Sequence, residues 1–356
     1  MNDDIIYIKR CFDLARLGRG TVTPNPIVGA VIVYEGKIIG EGFHKQVGAA
    51  HAEINAINSV QDKALLSQST IYVSLEPCHH YGKTPPCVDS LLRYKFAKVV
   101  ISVTDPNPRV MGKSIQKLKA NGIEVVTHVL EKEGRTQNAF FLSNFEHKRP
   151  YIILKYAQSA NQIFGIADQQ VWVSNAYTKR LVHRWRSEIG AILVATNTAL
   201  ADNPKLDNRY YFGKAPIRIL LDRQLRVPTT THLLSDNNPT IIITEKEKPL
   251  NAGNNCEYIN LPFDKLLLTQ LADILYQKGV DALLVEGGAG LLRSFIKENF
   301  WDEARILTGP AVITGDNLIP APRLSGQLVN RFKIGDNQLD ILRSENREVR
   351  IEKNFV

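Results

Sequence analysis

Short apolar runs alternate twice along the chain with helix-like segments, and this alternation constrains the fold more than any other feature. The first series predicts helices near 4–17, 51–59, from 86 and at 111–120, between strands at 27–34, 37–40, 70–75, 98–103 and 124–129. The second series predicts strands at 151–154, 191–195, 217–221, 240–244 and 282–286. Strands that alternate with helices indicate α/β sheets with helices packed on their faces.

The polar, helix-prone stretch 131–149 separates the two series. A chain of 356 residues is too long for one ordinary core and suits two domains. We therefore predict an N-terminal domain at 1–147 and a C-terminal domain at 148–356.

The charge balance favours anionic partners, because 44 Lys and Arg face 36 Asp and Glu, a formal net charge of +8. The basic residues form no long block, so we expect a small phosphorylated substrate and no nucleic acid. The acidic start Met-Asn-Asp-Asp is unlike a secretory signal, and no apolar run approaches the length of a membrane span. We expect a cytoplasmic enzyme with no membrane partner, and we also expect a homo-oligomer.

Four cysteines are too few for a disulfide framework in a chain of this length. Cys11 stands within an apolar helical pattern and is interpreted as a core residue, and Cys256 receives the same interpretation. Cys78 and Cys87 stand close together among polar and proline residues. This placement indicates a metal site or catalysis.

The sharpest motif is His51-Ala52-Glu53 followed by Pro77-Cys78 and, after eight further residues, Cys87. One imidazole and two thiolates form a three-ligand zinc set whose fourth position is open to a water that zinc activates near neutral pH. Glu53 is expected to point away from the metal and to carry a proton from this water to a ring nitrogen and then to the leaving amine. His-x-Glu with Pro-Cys-x-x-Cys is the signature of nucleobase deaminases, although the second gap is longer here.

A structural metal site is the alternative, in which Cys78 and Cys87 recruit His79 or His80 as a fourth ligand and His51 lies on the surface. The predicted helix starts argue against it. His51 and Cys87 would both lie at helix N-termini, where the dipole and the free N–H groups favour a thiolate and a bound anion.

Four segments resemble the bifunctional riboflavin-biosynthesis deaminase–reductase family, which residues 4–130 match throughout. They are Thr23-Pro24-Asn25-Pro26-Ile27-Val28-Gly29-Ala30-Val31-Ile32-Val33, Gly40-x-Gly42-x-His44 leading into His51-Ala52-Glu53, Pro77-Cys78-His79-His80-Tyr81-Gly82-Lys83-Thr84-Pro85-Pro86-Cys87, and Asp105-Pro106-Asn107-Pro108-Arg109. The long gap between the cysteines is specific to this family among zinc deaminases. The resemblance implies a cytidine-deaminase-like three-layer domain with one zinc ion on His51, Cys78 and Cys87 and with Glu53 as the catalytic residue.

The same resemblance implies a substrate, a diamino-hydroxy-pyrimidine with a phosphoribosylamino group that loses a ring amine by hydrolysis. It also implies substrate contacts from Asn25, His44, Lys83, Asp105 and Asn107, with Lys83 as a phosphate partner. Taken singly, Asn25 and Asn107 precede prolines and could be turn residues, and Lys83 could be a solvated loop lysine.

From Arg149 onward the chain resembles the family's reductase half. The matching segments are Lys155-Tyr156-Ala157, Trp172, Arg186, Thr198-Ala199-Leu200-Ala201-Asp202-Asn203-Pro204-x-Leu206 and Leu283-Leu284-Val285-Glu286-Gly287-Gly288. The resemblance implies a dihydrofolate-reductase-like domain in which NADPH reduces the ribosyl group of the deaminated intermediate to ribityl. It implies substrate binding by Lys155, Arg186, Leu206, Arg209 and Glu286, and cofactor binding by Ala157, Trp172, Thr198, Asp202, Gly287 and Gly288.

Read without the resemblance, Val285-Glu286-Gly287-Gly288 is a strand end followed by glycines and an apolar helix. Backbone N–H groups there could hold a cofactor phosphate, although a plain strand-to-helix turn needs no ligand. Lys155 could likewise be an ordinary strand-end lysine. No Gly-x-Gly-x-x-Gly follows a strand, which disfavours a Rossmann domain.

Four segments of the C-terminal half depart from the family pattern. They are Asn161-Gln162 in place of Asp-Gly, Ala195-Thr196-Asn197 in place of a glycine-containing stretch, Asn203 in place of Asp, and Arg223 in place of a common serine. Because glutamine lacks the freedom of glycine at positive φ, we expect the turn at Gln162 to have changed shape.

Two other functions compete with the bifunctional enzyme. A tRNA base deaminase would suit the basic charge, but that class has the short cysteine gap, and the C-terminal half would remain unexplained. Alternatively, the C-terminal half has become a binding or oligomerisation module, in which case it would not bind NADPH.

Overall fold

The computed structural model describes residues 3–81, 85–167, 169, 171, 173–249, 253 and 255–345. The chain divides into two compact units, Met1–Lys148 and Arg149–Val356. Among the described residues, no helix combines the length and the apolar character that a membrane span needs.

The N-terminal unit is built on one five-stranded sheet. Its strands are β1 (Gly29–Tyr34), β2 (Lys37–Phe43), β3 (Thr70–Leu75), β4 (Lys98–Val103) and β5 (Glu124–Val126). Its helices are α1 (Asp3–Arg16), α2 (Ala52–Ser59), α3 (Cys87–Tyr94), α4 (Lys113–Ala120), α5 (Glu131–Gln137) and α6 (Ala139–His147), with a 3₁₀ helix at Lys63–Gln68. The strand order is β2-β1-β3-β4-β5, in which β1 is antiparallel to β2 and β3, while β3, β4 and β5 are parallel.

Both faces of this sheet are covered by helices. Successive strand residues point to opposite faces. Ile32 therefore packs in one buried cluster with residues of α2, α3 and α4, while Val31 and Val33 pack in another with Ile8 and Phe12 of α1. The arrangement confirms the predicted three-layer α/β fold, and Cys11 is a core residue as predicted.

Two predicted strands are shorter in the structure. The strand predicted at 27–34 begins at Gly29, because the N–H and C=O groups of Ile27 bond to the side chain of Asn138 (3.0 and 2.9 Å). The strand predicted at 124–129 ends at Val126. His128 and Leu130 have φ of 65° and 55°, in the left-handed region that a strand does not use.

The C-terminal unit is built on a nine-stranded sheet with a separate two-stranded ribbon. Its strands are β6 (Tyr151–Gln158), β7 (Ile163–Ile166), β8 (Ala191–Ala195), β9 (Ile217–Leu221), β10 (Thr240–Thr244), β11 (Cys256–Asn260), β12 (Ala282–Val285), β13 (Glu303–Thr308), β14 (Leu318–Pro320), β15 (Gln327–Ile334) and β16 (Asn337–Arg343). Its helices are α7 (Ala176–Ser187), α8 (Thr196–Asp202), α9 (His232–Ser235), α10 (Leu267–Gln277) and α11 (Ala289–Lys297). The order is β11-β10-β9-β8-β12-β6-β13-β16-β15, parallel from β11 to β13 and antiparallel beyond, while β7 pairs with β14.

The main core of this unit lies between the sheet and the helices α10 and α11. Leu154 of β6 and Val285 of β12 share a buried cluster with Leu271 of α10 and Leu292 of α11. A second cluster places Trp185 of α7 with residues of β13 and β16. The result is again a sheet with packed helices, as predicted, and Cys256 is buried as predicted.

The turn at Gln162 does not avoid positive φ, contrary to our expectation. Gln162 has φ of 60°, and its N–H donates to Ser159 O at 2.9 Å, so the residue occupies the left-handed conformation that suits glycine. Two hydrogen bonds of the neighbouring Asn161 hold the turn in this conformation. Its side-chain amide donates to Ile313 O and accepts from the Ile313 N–H.

Candidate functional site

His51, Cys78 and Cys87 meet near the carboxyl end of β3. His51 is the N-cap of α2, Cys87 begins α3, and Cys78 lies in the loop that follows β3. His51 Nδ1 lies 3.3 Å from Cys87 Sγ and 3.5 Å from Cys78 Sγ. Tetrahedral zinc with ordinary Zn–S and Zn–N bonds needs an N···S separation of roughly 3.5 Å. The imidazole nitrogen therefore already has about the spacing to both sulfur atoms that a zinc ion requires.

A fourth protein ligand is not found in the described part of the chain. His79 and His80 are both described, and neither joins the group of His51, Cys78 and Cys87, whose ligand atoms lie within 4.8 Å of one another. The geometry therefore favours the three-ligand site over the structural four-ligand alternative, and it leaves one coordination position open.

The two thiols are prepared for metal binding by their places in the fold. The Cys87 backbone N–H, at the start of α3, donates to Cys78 Sγ at 3.2 Å. The hydrogen bond from the Cys87 thiol lowers the pKa of Cys78 to about 4. The hydrogen bond that the Cys87 thiol donates to Cys78, together with burial, raises the pKa of Cys87. The pair thus holds one thiolate at neutral pH in the absence of a metal.

Glu53 lies beside this group and is not part of it, as expected for a residue that moves protons without binding the metal. It belongs to the first turn of α2, its residue is 3% exposed, and it is close enough to Cys78, His51 and Cys87 for each of them to affect its pKa. His51 is an N-cap with extended backbone (φ −72°, ψ 169°), so simple helical spacing does not relate the two residues, and Glu53 stays close to the ligands without being one of them. Burial raises the pKa of Glu53 to about 7, which suits a group that takes up and releases a proton near neutral pH.

Asn25 and His44 form a wall next to His51. The His44 ring lies edge-on to the His51 ring with 5.2 Å between centroids. His44 Nδ1 is 3.3 Å from Ala50 O and therefore carries the proton, so that Nε2 accepts from Asn25 Nδ2 at 3.4 Å. Burial lowers the pKa of His44, which is consistent with this neutral form.

Asp105 and Asn107 lie in the loop after β4. Asp105 Oδ1 accepts from the Asn107 N–H at 2.8 Å, and Asn107 Oδ1 accepts from the Arg109 N–H at 3.0 Å. Burial raises the pKa of Asp105 to about 7, with smaller contributions from Glu76 and Cys78. Both residues therefore shape a turn close to the metal ligands. Lys83 lies outside the described residues.

Lys155, Arg186 and Glu286 converge in the C-terminal unit. Arg186 donates to both carboxylate oxygens of Glu286 at 3.0 and 2.8 Å, and Lys155 Nζ lies 3.9 Å from Glu286 Oε2. Burial alone would raise the pKa of Glu286, yet the two cations lower it to about 2. Arg186 also donates to Asp207 O at 2.9 Å, which ties the buried Leu206 and its neighbours to this cluster.

Thr198 and the Gly287-Gly288 pair meet at a second point of the same unit. A Cβ at Gly287 would lie 2.6 Å from Val194 Cα, so only glycine permits this approach of the chain to the end of β8. Gly288 is the N-cap of α11 with φ of 41°, and its Cβ would lie 3.1 Å from Thr198 Oγ1. The structure thus brings together two segments that the sequence assigned to the cofactor.

The remaining predicted reductase residues are less closely connected. Arg209 pairs with Asp207 and stacks on Tyr210. It lines a cavity of about 540 Å³ together with Arg180, Leu181, Arg184, Tyr210 and Tyr211. Ala157 is half-buried in β6, and Asp202 is exposed at the end of α8. Contacts in the described part of the chain join neither of them directly to the other predicted residues, and Trp172 lies outside the described residues.

Three residues of these sites were missed by sequence reasoning. Asn138 holds the segment after Asn25, Glu76 accepts backbone N–H groups of the Asp105 loop, and His183 packs its ring against Tyr210 at 4.7 Å. Burial, then Arg186 and Arg209, lower the pKa of His183 to about 4. Glu76 could have been predicted from Glu-Pro-Cys, because carboxylates close to a metal ligand often hold the ligand or its loop in position. The other two carried no signal.

These features place the N-terminal unit among the zinc-dependent deaminases. Residues 1–103 match the family described as "Cytidine and deoxycytidylate deaminase zinc-binding region". Residues 150–336 match the family described as "RibD C-terminal domain".

The relatives cover both units. A riboflavin biosynthesis protein RibD of Aquifex aeolicus is 37% identical over 311 residues, which is 86% of this chain and 87% of the relative. The Escherichia coli RibD is 32% identical over 88% of this chain and 89% of its own. A solved Thermotoga maritima diaminohydroxyphosphoribosylaminopyrimidine deaminase/5-amino-6-(5-phosphoribosylamino)uracil reductase has a TM-score of 0.86 at 32% identity, covering 96% of this chain and 98% of that one. The chain belongs to the RibD family and is a bifunctional deaminase and reductase of riboflavin biosynthesis.

Proposed function

We propose that the N-terminal domain, at 1–147, deaminates 2,5-diamino-6-(5-phosphoribosylamino)pyrimidin-4-one, and that the C-terminal domain, at 148–356, reduces the ribosyl group of the product to ribityl with NADPH. The observation that carries the proposal is the three-ligand His51–Cys78–Cys87 group with the buried Glu53 against it. The deaminase and reductase activities for which the Thermotoga maritima relative is named support the choice of substrates.

In the deaminase, one zinc ion on His51, Cys78 and Cys87 supplies Lewis-acid activation of a water molecule when it is bound. Glu53 takes the proton of the attacking water on its carboxylate, gives it to the ring nitrogen and then assists the loss of the amine. Its raised pKa, about 7, makes both directions of transfer accessible near neutral pH. The N–H and C=O groups of the pyrimidine ring match the polar wall that Asn25 and His44 form.

Asp105 and Asn107 bind the substrate from the opposite loop in this proposal, and Lys83 binds its phosphate. The proximity of Asp105 to Cys78 supports this placement, because the thiolate charge contributes to the raised pKa of Asp105.

In the reductase, NADPH supplies a hydride when it is bound. Its phosphates fit the start of α11, because the first N–H groups of a helix have no partner within it, and a Cβ at Gly290 would meet no atom within 4 Å. Gly287, Gly288 and Thr198 form this corner, and we assign Ala157, Trp172 and Asp202 to the rest of the cofactor. Together they are the cofactor residues of the proposal.

Glu286 accepts a substrate hydroxyl hydrogen bond in the reductase, and Arg186 fixes its orientation through two hydrogen bonds. Lys155 is buried beside them, and burial lowers its pKa, so it can give a proton to a reacting oxygen or nitrogen more readily than an exposed lysine. Leu206 lines this site. Arg209 binds the phosphate end, a role that the basic cavity around it supports.

The test is incubation of the full chain with the diaminopyrimidine phosphate, with and without NADPH, followed by mass analysis. We expect one amino group to be replaced by oxygen without NADPH, and the further addition of two hydrogens with it. Deamination without any NADPH consumption would show that the C-terminal half is a binding or oligomerisation module. The homo-oligomer and the cytoplasmic location remain predictions.

A further inference from the structure

Glu76 is a buried carboxylate at the end of β3, two residues before Cys78. The residue is 3% exposed, and its backbone N–H donates to Val103 O at 2.8 Å, which extends the pairing with β4. Its side-chain Oε2 accepts from the Asp105 N–H at 3.3 Å and from the Gly112 N–H at 3.0 Å. One carboxylate oxygen therefore holds both ends of the loop 105–112.

This loop carries the turn that Asp105 and Asn107 form, and it leads into α4. A second buried bond reinforces the connection, because Ser114 Oγ in α4 donates to Pro77 O at 2.6 Å. The carboxylate of Glu76 and the carbonyl of Pro77 thus attach both the loop and the start of α4 to the Glu76–Cys78 segment. The position of the Asp105 turn relative to Cys78 thus depends directly on the reach of the Glu76 side chain.

We propose that Glu76 is a positioning residue of the deaminase, which fixes the Asp105–Asn107 turn relative to the metal ligands so that both engage one substrate molecule. The inference rests on the proposed function, because it takes Asp105 and Asn107 as substrate contacts. It assigns Glu76 no contact with the substrate. Its effect on turnover is exerted through the loop.

The side chain offers a matched pair of variants that separates reach from charge. Oε1 is buried and has no hydrogen-bond partner within 3.5 Å among the described residues, although the N–H groups of Ser114 and Ile115 at the start of α4 also act on the carboxylate. Glu76→Gln keeps the length of the side chain and an oxygen for the N–H groups of Asp105 and Gly112, while it removes the charge. Glu76→Asp keeps the charge but withdraws the carboxylate by about 1.5 Å, the length of one C–C bond. A misplacement of that size in a binding site can cost roughly a hundredfold in rate.

The experiment measures KM and kcat of the zinc-loaded full chain with the diaminopyrimidine phosphate, together with zinc content and NADPH consumption on the deaminated intermediate. We expect Glu76→Asp to raise KM at least about tenfold and Glu76→Gln to stay within about threefold of wild type. Zinc content and reductase rate should be unchanged in both. Glu124→Asp, on the exposed edge strand β5, is the control that should leave all four values unchanged.

Three results would overturn the inference. They are a wild-type KM in Glu76→Asp, an increase of KM in Glu76→Gln as large as in Glu76→Asp, and loss of zinc in Glu76→Asp, which would assign the residue to the metal site alone. A wild-type enzyme that releases no ammonia from this substrate would instead refute the proposed function.

Discussion

Replacing Asn138 with alanine should destabilise the deaminase unit by an amount that its two hydrogen bonds define. Asn138 is 4% exposed, accepts from the Ile27 N–H at 3.0 Å and donates to Ile27 O at 2.9 Å. Alanine leaves both backbone groups of the buried Ile27 without a partner. Each unsatisfied buried group costs about 1–3 kcal/mol, so the two together cost about 2–6 kcal/mol, or at least roughly thirtyfold in the unfolding equilibrium.

The assay is urea unfolding of the full chain, followed by zinc release so that the transition reports on the deaminase unit. Asn121→Ala is the matched control, because Asn121 donates one bond to Lys117 O at 2.8 Å from an exposed helix end and should cost less than about 0.5 kcal/mol. We also expect a raised deaminase KM, since Asn25 lies two residues before Ile27. A cost for Asn138→Ala no larger than that for Asn121→Ala would refute the reasoning.

Three further predictions test the sites. Cys87→Ala should abolish zinc binding while Cys11→Ala, in the core of the same unit, retains it; unchanged zinc in the first variant would exclude the proposed ligand set. Glu53→Gln should retain zinc and lower deamination by roughly 10²–10⁴-fold, with NADPH consumption on the deaminated intermediate unchanged; equal loss of both activities would contradict independent sites. The folded-state pKa of His183, about 4 against an ordinary 6.5, means that only the unfolded chain binds this proton between those values. The free energy of unfolding should therefore fall as pH falls from about 6.5 to 4, and His183→Asn should weaken that dependence; identical pH profiles would show that His183 does not titrate as described.

The parallel core of each unit was predictable because its signal is local. A run such as Ala191–Ala195 is buried at every position but the last, and continuous apolar runs of this length predict central strands directly. The metal ligands were predictable for a related reason, since His51, Cys78 and Cys87 belong to types that bind zinc and their spacing is short.

The antiparallel end of the second sheet was not predicted, because its strands show no such pattern. All residues of β15 except the last are exposed. Leu328 and Phe332 are exposed as well, so the strand has no buried face and its sequence shows no alternation of buried and exposed residues. Contacts across long sequence separations were equally invisible. Asn138 and Ile27 are 111 residues apart, and no sequence pattern around either residue predicts the hydrogen bonds between them.

The departure from the family pattern at Asn161-Gln162 combines an unfavourable backbone conformation with two additional hydrogen bonds. Gln162 bears the left-handed conformation at a cost of roughly 1–2 kcal/mol. The amide of Asn161 accepts from the Ile313 N–H at 3.1 Å and donates to Ile313 O at 2.8 Å, and each such bond contributes about 0.5–1.5 kcal/mol. A carboxylate could make only the first of these bonds, so the change to asparagine offsets the change to glutamine.

The same reasoning holds for the segment around α8. Asn203 caps the helix at φ of 38°, a conformation that asparagine tolerates better than most residues, and its Oδ1 still accepts from the His232 N–H at 2.8 Å. Thr196, where the family has a glycine-containing stretch, donates its hydroxyl to Leu221 O at 3.0 Å. That bond ties the start of α8 to the end of β9. Asn161, Asn203 and Thr196 therefore each bond a segment that is distant in the sequence, at Ile313, His232 and Leu221, and these bonds hold the residues that differ from the family pattern in place.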